Sequence, residues 1–574
     1  MVEVGIIGLG SWGLCTLERV VEAARRSPNQ TISVHVVEPA SPGGGLYSQT
    51  CPDYLVLNTP CGQHSMYPYP EQIGAGRLGK GFYEWAVDRG YRWHGHECRI
   101  SSTGRAITPH DFLPRRVMGE YLEWFYQTLV AEVPRNVSIT HHKTRALDVE
   151  AVPGGRERIY LEDGEQLELD HVVLTLGNVQ NAPPEDELAR IAHCPYPVEE
   201  YLGKVAPKEK VAVEGMGLAA LDVITALTIG LGGHYTTGTS GKLRYHPSGR
   251  EPVLYLFSRS GYPYCAKSMG TADPVGGYQP AICTAEAVAE LRQLDSTRAQ
   301  RSIDARKELL PLVFAEMELR YYAHSAQLAH GIAAAKVVHE DLVAAWHKGT
   351  FSQGCATYAQ QYGRFNASEH FFVGEGSAFL DSKEYESQVF AAVEADVAEA
   401  LVEGGASPVK AAFETLRALR DIIRSAIEFK GLTLASYIDF KSTLQSRLAR
   451  PAAGPPVFRS QQLLALMDAD VVKIPFGPSP KTRPARDGRV LVRSTRLERP
   501  YEVVVDRLIR AHVEIPSIGR STSPLLTNLA KRGRARPLTL EGTPVGSIDL
   551  TPDFHPVNDL GVEHRLWAFG LPTE

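Results

Sequence analysis

Short runs of Val, Ile and Leu alternate with helical stretches and Gly/Pro-rich turns from residue 1 to about 183. That alternation predicts an α/β arrangement, because buried strands read as short apolar runs and the helices between them carry the crossovers. A second apolar run opens a Gly-rich turn near residue 211, and Val253-Leu254-Tyr255-Leu256-Phe257 reads as its partner strand, so residues of about 205 to 275 form a second βαβ unit. From about 283 to 450 the period changes. Val389, Val393, Val397 and Leu401 recur every four residues, and Leu416, Leu419, Ile423 and Ile427 carry a similar stripe, which predicts a helical insertion. Ser407 and Pro408 suit the cap and first position of one of its helices, with Arg417, Arg420 and Arg424 on a neighbouring face read as a solvated or ion-paired edge. Another predicted helix, Ala285 to Leu291, precedes Arg292. The run Arg450-Pro451-Ala452-Ala453-Gly454-Pro455-Pro456 closes the insertion, and α/β character returns with Gln461 to Met467, Val471-Val472 and Tyr501 to Asp506.

Both apolar runs lead into turns built for phosphate. Val4-Gly5-Ile6-Ile7 enters Gly8-Leu9-Gly10-Ser11-Trp12-Gly13, where the first glycine permits the turn, the second admits a pyrophosphate and the third lets helix and strand pack closely. The next strand, Ile32 to Val37, ends at Glu38, 25 residues after Gly13, where a carboxylate accepts bonds from ribose hydroxyls. The second unit runs Val211-Ala212-Val213-Glu214-Gly215-Met216-Gly217-Leu218-Ala219-Ala220 and its following strand ends at Ser258-Arg259 instead of an acid. An arginine there pairs with a 2′-phosphate that an acid would repel, which favours NADPH over NADH.

Composition narrows the classes. A chain of 574 residues exceeds one ordinary domain several times over, and 43% hydrophobic with 22% charged residues is globular usage. Sixty basic against sixty-six acidic side chains, a net charge of −6, do not suit a phosphate-backbone binder, so nucleic acid is not an expected partner. Neither a run of about 20 apolar residues nor a leading basic-then-apolar segment is present, so no membrane span or secretory signal is expected. The eight cysteines lack a Cys-x-x-Cys pair, which argues against a zinc ribbon or disulfide framework and for the reduced cytoplasm. Trp93-His94-Gly95-His96-Glu97-Cys98 and His141-His142 read as loops and not as metal ligands, and no metal is expected. Cys61, with Cys51 as its one sequence neighbour, is not expected to do thiol redox chemistry.

Two nucleotide turns with the first at the N-terminus form the layout of flavoproteins that bind FAD first and NAD(P)H second. Asp170 to Gly177 resembles the strand and Gly that leave the FAD domain of such proteins, and Arg565 to Gly570 the strand and Gly that return to the flavin. Gly43-Gly44-Gly45-Leu46-Tyr47-Ser48, the Leu57 to Met66 run, Pro114 to Leu122, and Gly454 to Arg459 with Leu463 to Leu466 extend the likeness along nearly the whole chain. It resembles the bacterial FAD/NAD(P)-binding proteins allied to single-component N-hydroxylating flavin monooxygenases, most of all the aspartate N-oxygenases that make nitrosuccinate.

The resemblance implies two Rossmann-like domains, for FAD and NADPH, with a large all-α insertion: residues 1–183 and 516–574 for FAD, 184–282 and 451–515 for NADPH, 283–450 the insertion. It implies O₂ and a small amino acid as partners, with homo-oligomerisation left open. Gly8, Gly10, Ser11, Trp12, Gly13, Glu38, Gly177 and Gly570 would hold FAD, and Gly215, Gly217, Leu218, Ala220, Ser258 and Arg259 NADPH. Asn58 and Gln63 would donate to the flavin ring or nicotinamide ribose. His64 beside them would hold a substrate carboxylate, and Arg292 and Lys441 are chosen as further cations for a dianionic substrate. A monooxygenase acting on another amine, amino acid or sulfide, an amine oxidase, and a flavin-binding regulatory protein stay open as alternatives. The family's closing segment normally continues past such a Gly into a last helix, so the stop at Gly570 to Glu574 leaves a missing tail open.

Overall fold

The computed structural model describes residues 1–68, 79–183, 191–192, 194–198, 203–239, 241–268, 277–293, 301–402, 407–512, 514 and 517–570, so the tail Leu571 to Glu574 lies outside the described residues. Two compact units divide the chain: Met1–Glu185 with Glu514–Glu574, and Asp186–Val513.

In the first unit five strands form a parallel sheet in the order Leu566–Ala568, His171–Leu174, Val2–Ile7, Ile32–Val37, Val137–His142. Both faces are covered, which is why the central strands read as unbroken apolar runs instead of alternating ones. Ile6, Val34 and Val36 pack with Leu14, Leu17 and Val21 of the helix Ser11–Arg26 and Leu122, Phe125 and Leu129 of the helix Arg115–Ala131. Ile7, Val37 and Leu174 instead join Val149, Ile159 and Leu169 of an antiparallel meander, and Leu525, Leu526 and Leu529 of the helix Pro524–Lys531.

Two segments expected to be loops are strands. Tyr91–His94 pairs with Glu97–Ile100 around Gly95, whose φ of 61° makes the tight return, and buried Cys98 faces the core. His141 and His142 end the edge strand Val137–His142. His141 Nε2 bonds the Glu38 carbonyl at 3.0 Å, and His142 Nε2 lies 3.1 Å from His35 Nδ1.

In the second unit a parallel sheet runs Ile191–Ala192, Arg507–Arg510, Lys210–Glu214, Val253–Phe257, Val472–Lys473. A hairpin, His234–Thr237 with Leu243–His246, fills the interval between helix Leu218–Ala226 and the strand Val253–Phe257. The helical region follows, its helix Leu310–His330 packing against Ile332–His347 and Pro408–Ala418. Ser407 Oγ accepts the Lys410 amide at 3.1 Å, the expected cap. Val389, Val393 and Val397 are buried, whereas Leu401 stands 41% exposed because the helix Ser382–Ala400 has already ended. The chain is thus mixed α/β with parallel sheets and a helical region, as expected, and no helix among the described residues is long and apolar enough to cross a membrane.

A buried ion triad ties the C-terminal segment of the first unit to its meander. Arg534 donates to Glu157 at 2.6 Å and Glu563 at 2.5 Å, and its side chain is 7% exposed. Removing one member of such a group strands the others without compensation. Arg534→Ala is expected to cost about 3–5 kcal/mol in denaturant unfolding, against under about 1 kcal/mol for Arg493→Ala, which breaks an exposed pair with Glu502 at 3.9 Å; equal losses would show that the triad is no anchor.

Candidate functional site

The first turn is set by contacts that leave no space for side chains. Gly8 adopts φ +99°, and a Cβ there would lie 2.6 Å from the Thr175 carbonyl; one at Gly13 would lie 2.1 Å from the Gly8 carbonyl. Thr175 Oγ also bonds the Gly8 carbonyl at 2.7 Å and that of Ile7 at 3.1 Å, locking strand to turn. Gly10 differs: a Cβ there would meet nothing within 4 Å. Two glycines are therefore required by the protein's own packing, while the second faces open space, as a backbone meant to meet a pyrophosphate should. Gly10 caps the helix Ser11–Arg26 without a side-chain bond, so the positive end of that helix is left to an anion.

Glu38, half-buried at the end of the second strand, accepts from the Leu9 amide at 3.0 Å and the Ala40 amide at 2.9 Å. Each carboxylate oxygen keeps a further lone pair for a ribose hydroxyl. On the other side of the turn Trp12 stacks on Phe569, centroids 6.4 Å apart, and Gly570 sits beside it with φ +93°. No atom near Gly177 would touch a Cβ there. The turn, Glu38 and the returning Gly570 fit an FAD pyrophosphate and ribose.

The Leu57 to Met66 run is laced to the segment ahead of helix Arg115–Ala131. Amides of Leu57, Cys61 and Gly62 bond the carbonyls of Leu113, Asp111 and Pro109 at 2.8–2.9 Å, and the Met66 amide bonds Tyr121 Oη at 3.1 Å. Gln63 lies in a short helical turn, Cys61–Gln63, with Asn58 half-buried before it. His64 follows, its carbonyl accepting the Phe82 amide at 2.9 Å and its ring edge-on to Phe82 at 6.1 Å. Cys61 is fully buried with its thiol on the Thr108 carbonyl at 3.1 Å, and burial pushes that thiol up to about 12, a poor start for redox chemistry.

In the second unit Gly215 has φ +138°, and a Cβ would strike the Ala511 carbonyl at 2.5 Å. Gly217 caps Leu218–Ala226 without a side-chain bond, and Ala220 is buried behind it. Gly217 does not face open space: the Tyr264 ring lies 3.1–3.3 Å from its Cβ position. At the end of the partner strand Ser258 Oγ accepts the Gly261 amide at 3.0 Å, and exposed Arg259 donates to the Ser442 carbonyl in the π-helical turn Phe440–Leu444. That turn carries Lys441, whose ammonium lies 5.7 Å over the Tyr437 ring. Arg259 and Lys441 thus belong to one neighbourhood. Arg292 donates to the carbonyls of Ser425 at 2.6 Å and Phe429 at 3.3 Å, closing the end of the helix Arg420–Ile427. Thr175 was not singled out from the sequence, although a hydroxyl inside the apolar run before Gly177 was its signal.

Residues 5–179 match the family model described as FAD-NAD(P)-binding, which defines the class. Nitrosuccinic acid synthase from Aspergillus oryzae is 31% identical over 100% of this chain and 88% of its own length. A nitrosuccinate-forming L-aspartate N-monooxygenase from Streptomyces davaonensis is 31% identical over 99% of this chain and 92% of its own. The chain belongs to the family of these nitrosuccinate-forming proteins. Among solved structures, the FAD-bound cadaverine monooxygenase of Erwinia amylovora aligns with 99% of the chain and 87% of its own at 11% identity and a TM-score of 0.40.

The glycine contacts separate folding from flavin binding. Gly10→Val is expected to cost the apoprotein about 1 kcal/mol, that of a poorer helix cap, while flavin occupancy of the purified protein collapses. Gly13→Ala is expected to lower both, and survival of flavin in Gly10→Val, read from the absorbance of bound FAD, would show the turn to be misassigned.

Proposed function

We propose that this protein is an FAD- and NADPH-dependent monooxygenase that N-oxygenates the amine of L-aspartate, toward N-hydroxyaspartate and nitrosuccinate. The observation that carries the reading is identity at 31% along the whole chain to a nitrosuccinic acid synthase. Bound FAD, once reduced by NADPH, supplies the activation of O₂, one oxygen atom going to the amine and the other leaving as water.

The chain's own work is binding and exclusion. Backbone amides at Gly10, Ser11 and Trp12 hold the flavin pyrophosphate and Glu38 its ribose, while Gly215, Gly217 and Leu218 hold that of NADPH and Arg259 its 2′-phosphate. Asn58 and Gln63 offer amide donors beside the flavin loop. The lone pair on the substrate nitrogen must be free to attack, so the site has to bind aspartate by its carboxylates and let the amine lose its proton. His64 is the proposed carboxylate donor, with Arg292 and Lys441 proposed as further cations for the substrate. Because Arg292 also closes a helix, Lys441→Ala is the cleaner probe of substrate affinity. The cytoplasm, reducing and supplied with NADPH, is the proposed compartment.

Two measurements test the reading. NADPH consumption with mass-spectrometric product detection should favour aspartate over asparagine and alanine by on the order of 10²-fold or more, since donors placed for two carboxylates are left unpaired by one; product from a neutral or basic amino acid and none from aspartate would overturn the substrate. Arg259→Ala should raise KM for NADPH about 10-fold or more and leave that for NADH nearly unchanged, and equal effects on both would remove the 2′-phosphate role.

A further inference from the structure

The two nucleotide turns are built alike up to the face that a pyrophosphate approaches. Gly10 (φ −72°, ψ −167°) and Gly217 (φ −96°, ψ −160°) each stand in extended conformation ahead of their helices, and neither helix receives a side-chain cap. The second glycine of such a turn lacks a side chain so that phosphates can come against the backbone. At Gly10 that direction is open, since a Cβ would meet nothing within 4 Å among the described residues. At Gly217 it leads into the far end of the Tyr264 ring, with Cζ 3.1 Å and both Cε atoms 3.3 Å from the Cβ position. Ring carbons placed there fill the volume that a phosphate takes when it rests on the glycine.

The backbone that carries this ring is fixed. The Tyr264 amide bonds the carbonyl of Met216, the residue between the two glycines, at 3.2 Å. The Cys265 amide bonds the Arg450 carbonyl at 2.9 Å, and Arg450 Nε donates in turn to the Pro263 carbonyl at 3.0 Å. A Cβ at Gly454 would lie 1.7 Å from the Cys265 carbonyl, so the glycine of Gly454-Pro455-Pro456 is demanded by this segment. The ring itself is not tied in the same way. Tyr264 is half-buried, and among the described residues its hydroxyl has no hydrogen-bond partner and its ring no aromatic neighbour. The side chain can therefore exchange rotamers while its Cα stays in place, a far smaller change than moving a hydrogen-bonded segment.

We propose that Tyr264 is an affinity-determining residue of the NADPH site, its ring covering the Gly217 face and turning aside when the pyrophosphate of the cofactor binds. The proposal rests on the placement of NADPH at the second turn given above. The apparent Kd of a ligand that needs the open arrangement is its intrinsic Kd divided by the open fraction, so a ring that covers the turn about two-thirds of the time or more weakens NADPH about 3-fold or more. Both nicotinamide cofactors carry the pyrophosphate, so the ring acts on NADPH and NADH alike, unlike Arg259.

The FAD-loaded full chain is titrated calorimetrically with NADP⁺ and, separately, with adenosine 2′-monophosphate, which has the 2′-phosphate and no pyrophosphate. Tyr264→Leu keeps the inner part of the side chain and removes the ring end that lies on Gly217. It should tighten NADP⁺ about 3-fold or more and leave adenosine 2′-monophosphate unchanged, while Tyr264→Phe should bind both as the wild type does. Unchanged NADP⁺ affinity in Tyr264→Leu, or equal tightening of both probes, overturns the proposal. Weaker NADP⁺ binding in Tyr264→Leu or Tyr264→Phe also overturns it, by making the side chain a ligand of the cofactor and not a cover. Should Tyr264→Leu lose its flavin or fold, Tyr264→Met, unbranched and free to vacate the turn, carries the same expectation. Gly217→Val separates this role from the placement it rests on: if that variant binds NADP⁺ normally, or the wild type does not bind it, NADPH does not lie on this turn and both readings fall. If Gly217→Val abolishes binding while Tyr264→Leu changes nothing, the role of Tyr264 falls alone.

Discussion

Position 13 is where the first unit is decided. The helix Ser11–Arg26 comes down against the strand Val2–Ile7 so closely that any Cβ at Gly13 would sit 2.1 Å from the Gly8 carbonyl. Close approach does two things at once. It packs Leu14, Leu17 and Val21 onto Ile6, Val34 and Val36, and it points uncapped helix amides over the sheet's carboxyl edge. Phosphate binding and core formation are therefore one constraint seen from two sides, and Thr175, bonded to the Gly8 carbonyl, extends it to the neighbouring strand. The second unit repeats the contact of Gly8 at Gly215, against the Ala511 carbonyl, and has Ala220 where the first unit has Gly13.

Each parallel sheet is also completed by a strand from far along the chain. Leu566–Ala568 pairs with His171–Leu174, and Arg507–Arg510 with Lys210–Glu214. Such pairings carry a loop-closure cost that local pairings do not. The helical region lies inside the second of these loops, and its compactness shortens the gap that the pairing has to close. Its strong caps serve that need: Ser407, Thr284, Asp381 and Asp304 each accept amides at the start of a helical turn.

What was legible in the sequence was what is encoded locally. Both Gly-rich turns, the Ser407-Pro408 start, the helix Ala285–Leu291 and the change of period at the insertion depend on residues within one turn of each other. The edge strand ending at His141-His142 was not, because its partner Ile32–Val37 lies about a hundred residues earlier and nothing in the pair of histidines announces it. In the Trp93 to Cys98 stretch the His-x-His spacing carries no ligand geometry, and the decisive residue is Gly95, whose positive φ makes the hairpin return. Arg292 bonds carbonyls 133 and 137 residues further on. Long side chains find partners by tertiary contact, and that information is spread over the whole chain.

The buried cations show the same logic in energetic form. Lys410 and Arg534 are almost wholly buried, yet each meets carboxylates that hold its charge in place, and the groups around them are backbone or apolar. Neither side chain has a donor geometry open to exchange partners without a large desolvation loss, so both are structural. Arg259 sits differently. Arg259 is exposed and rests on the Ser442 carbonyl, a neutral acceptor that a phosphate outcompetes, since a bond to a charged acceptor is about twice as strong as one to a neutral group. Burial with a carboxylate partner marks a cation as part of the frame, whereas a neutral acceptor leaves the charge available to a ligand. On that ground Arg259 stands apart from the frame, whereas the carbonyl bonds of Arg292 close the end of a helix.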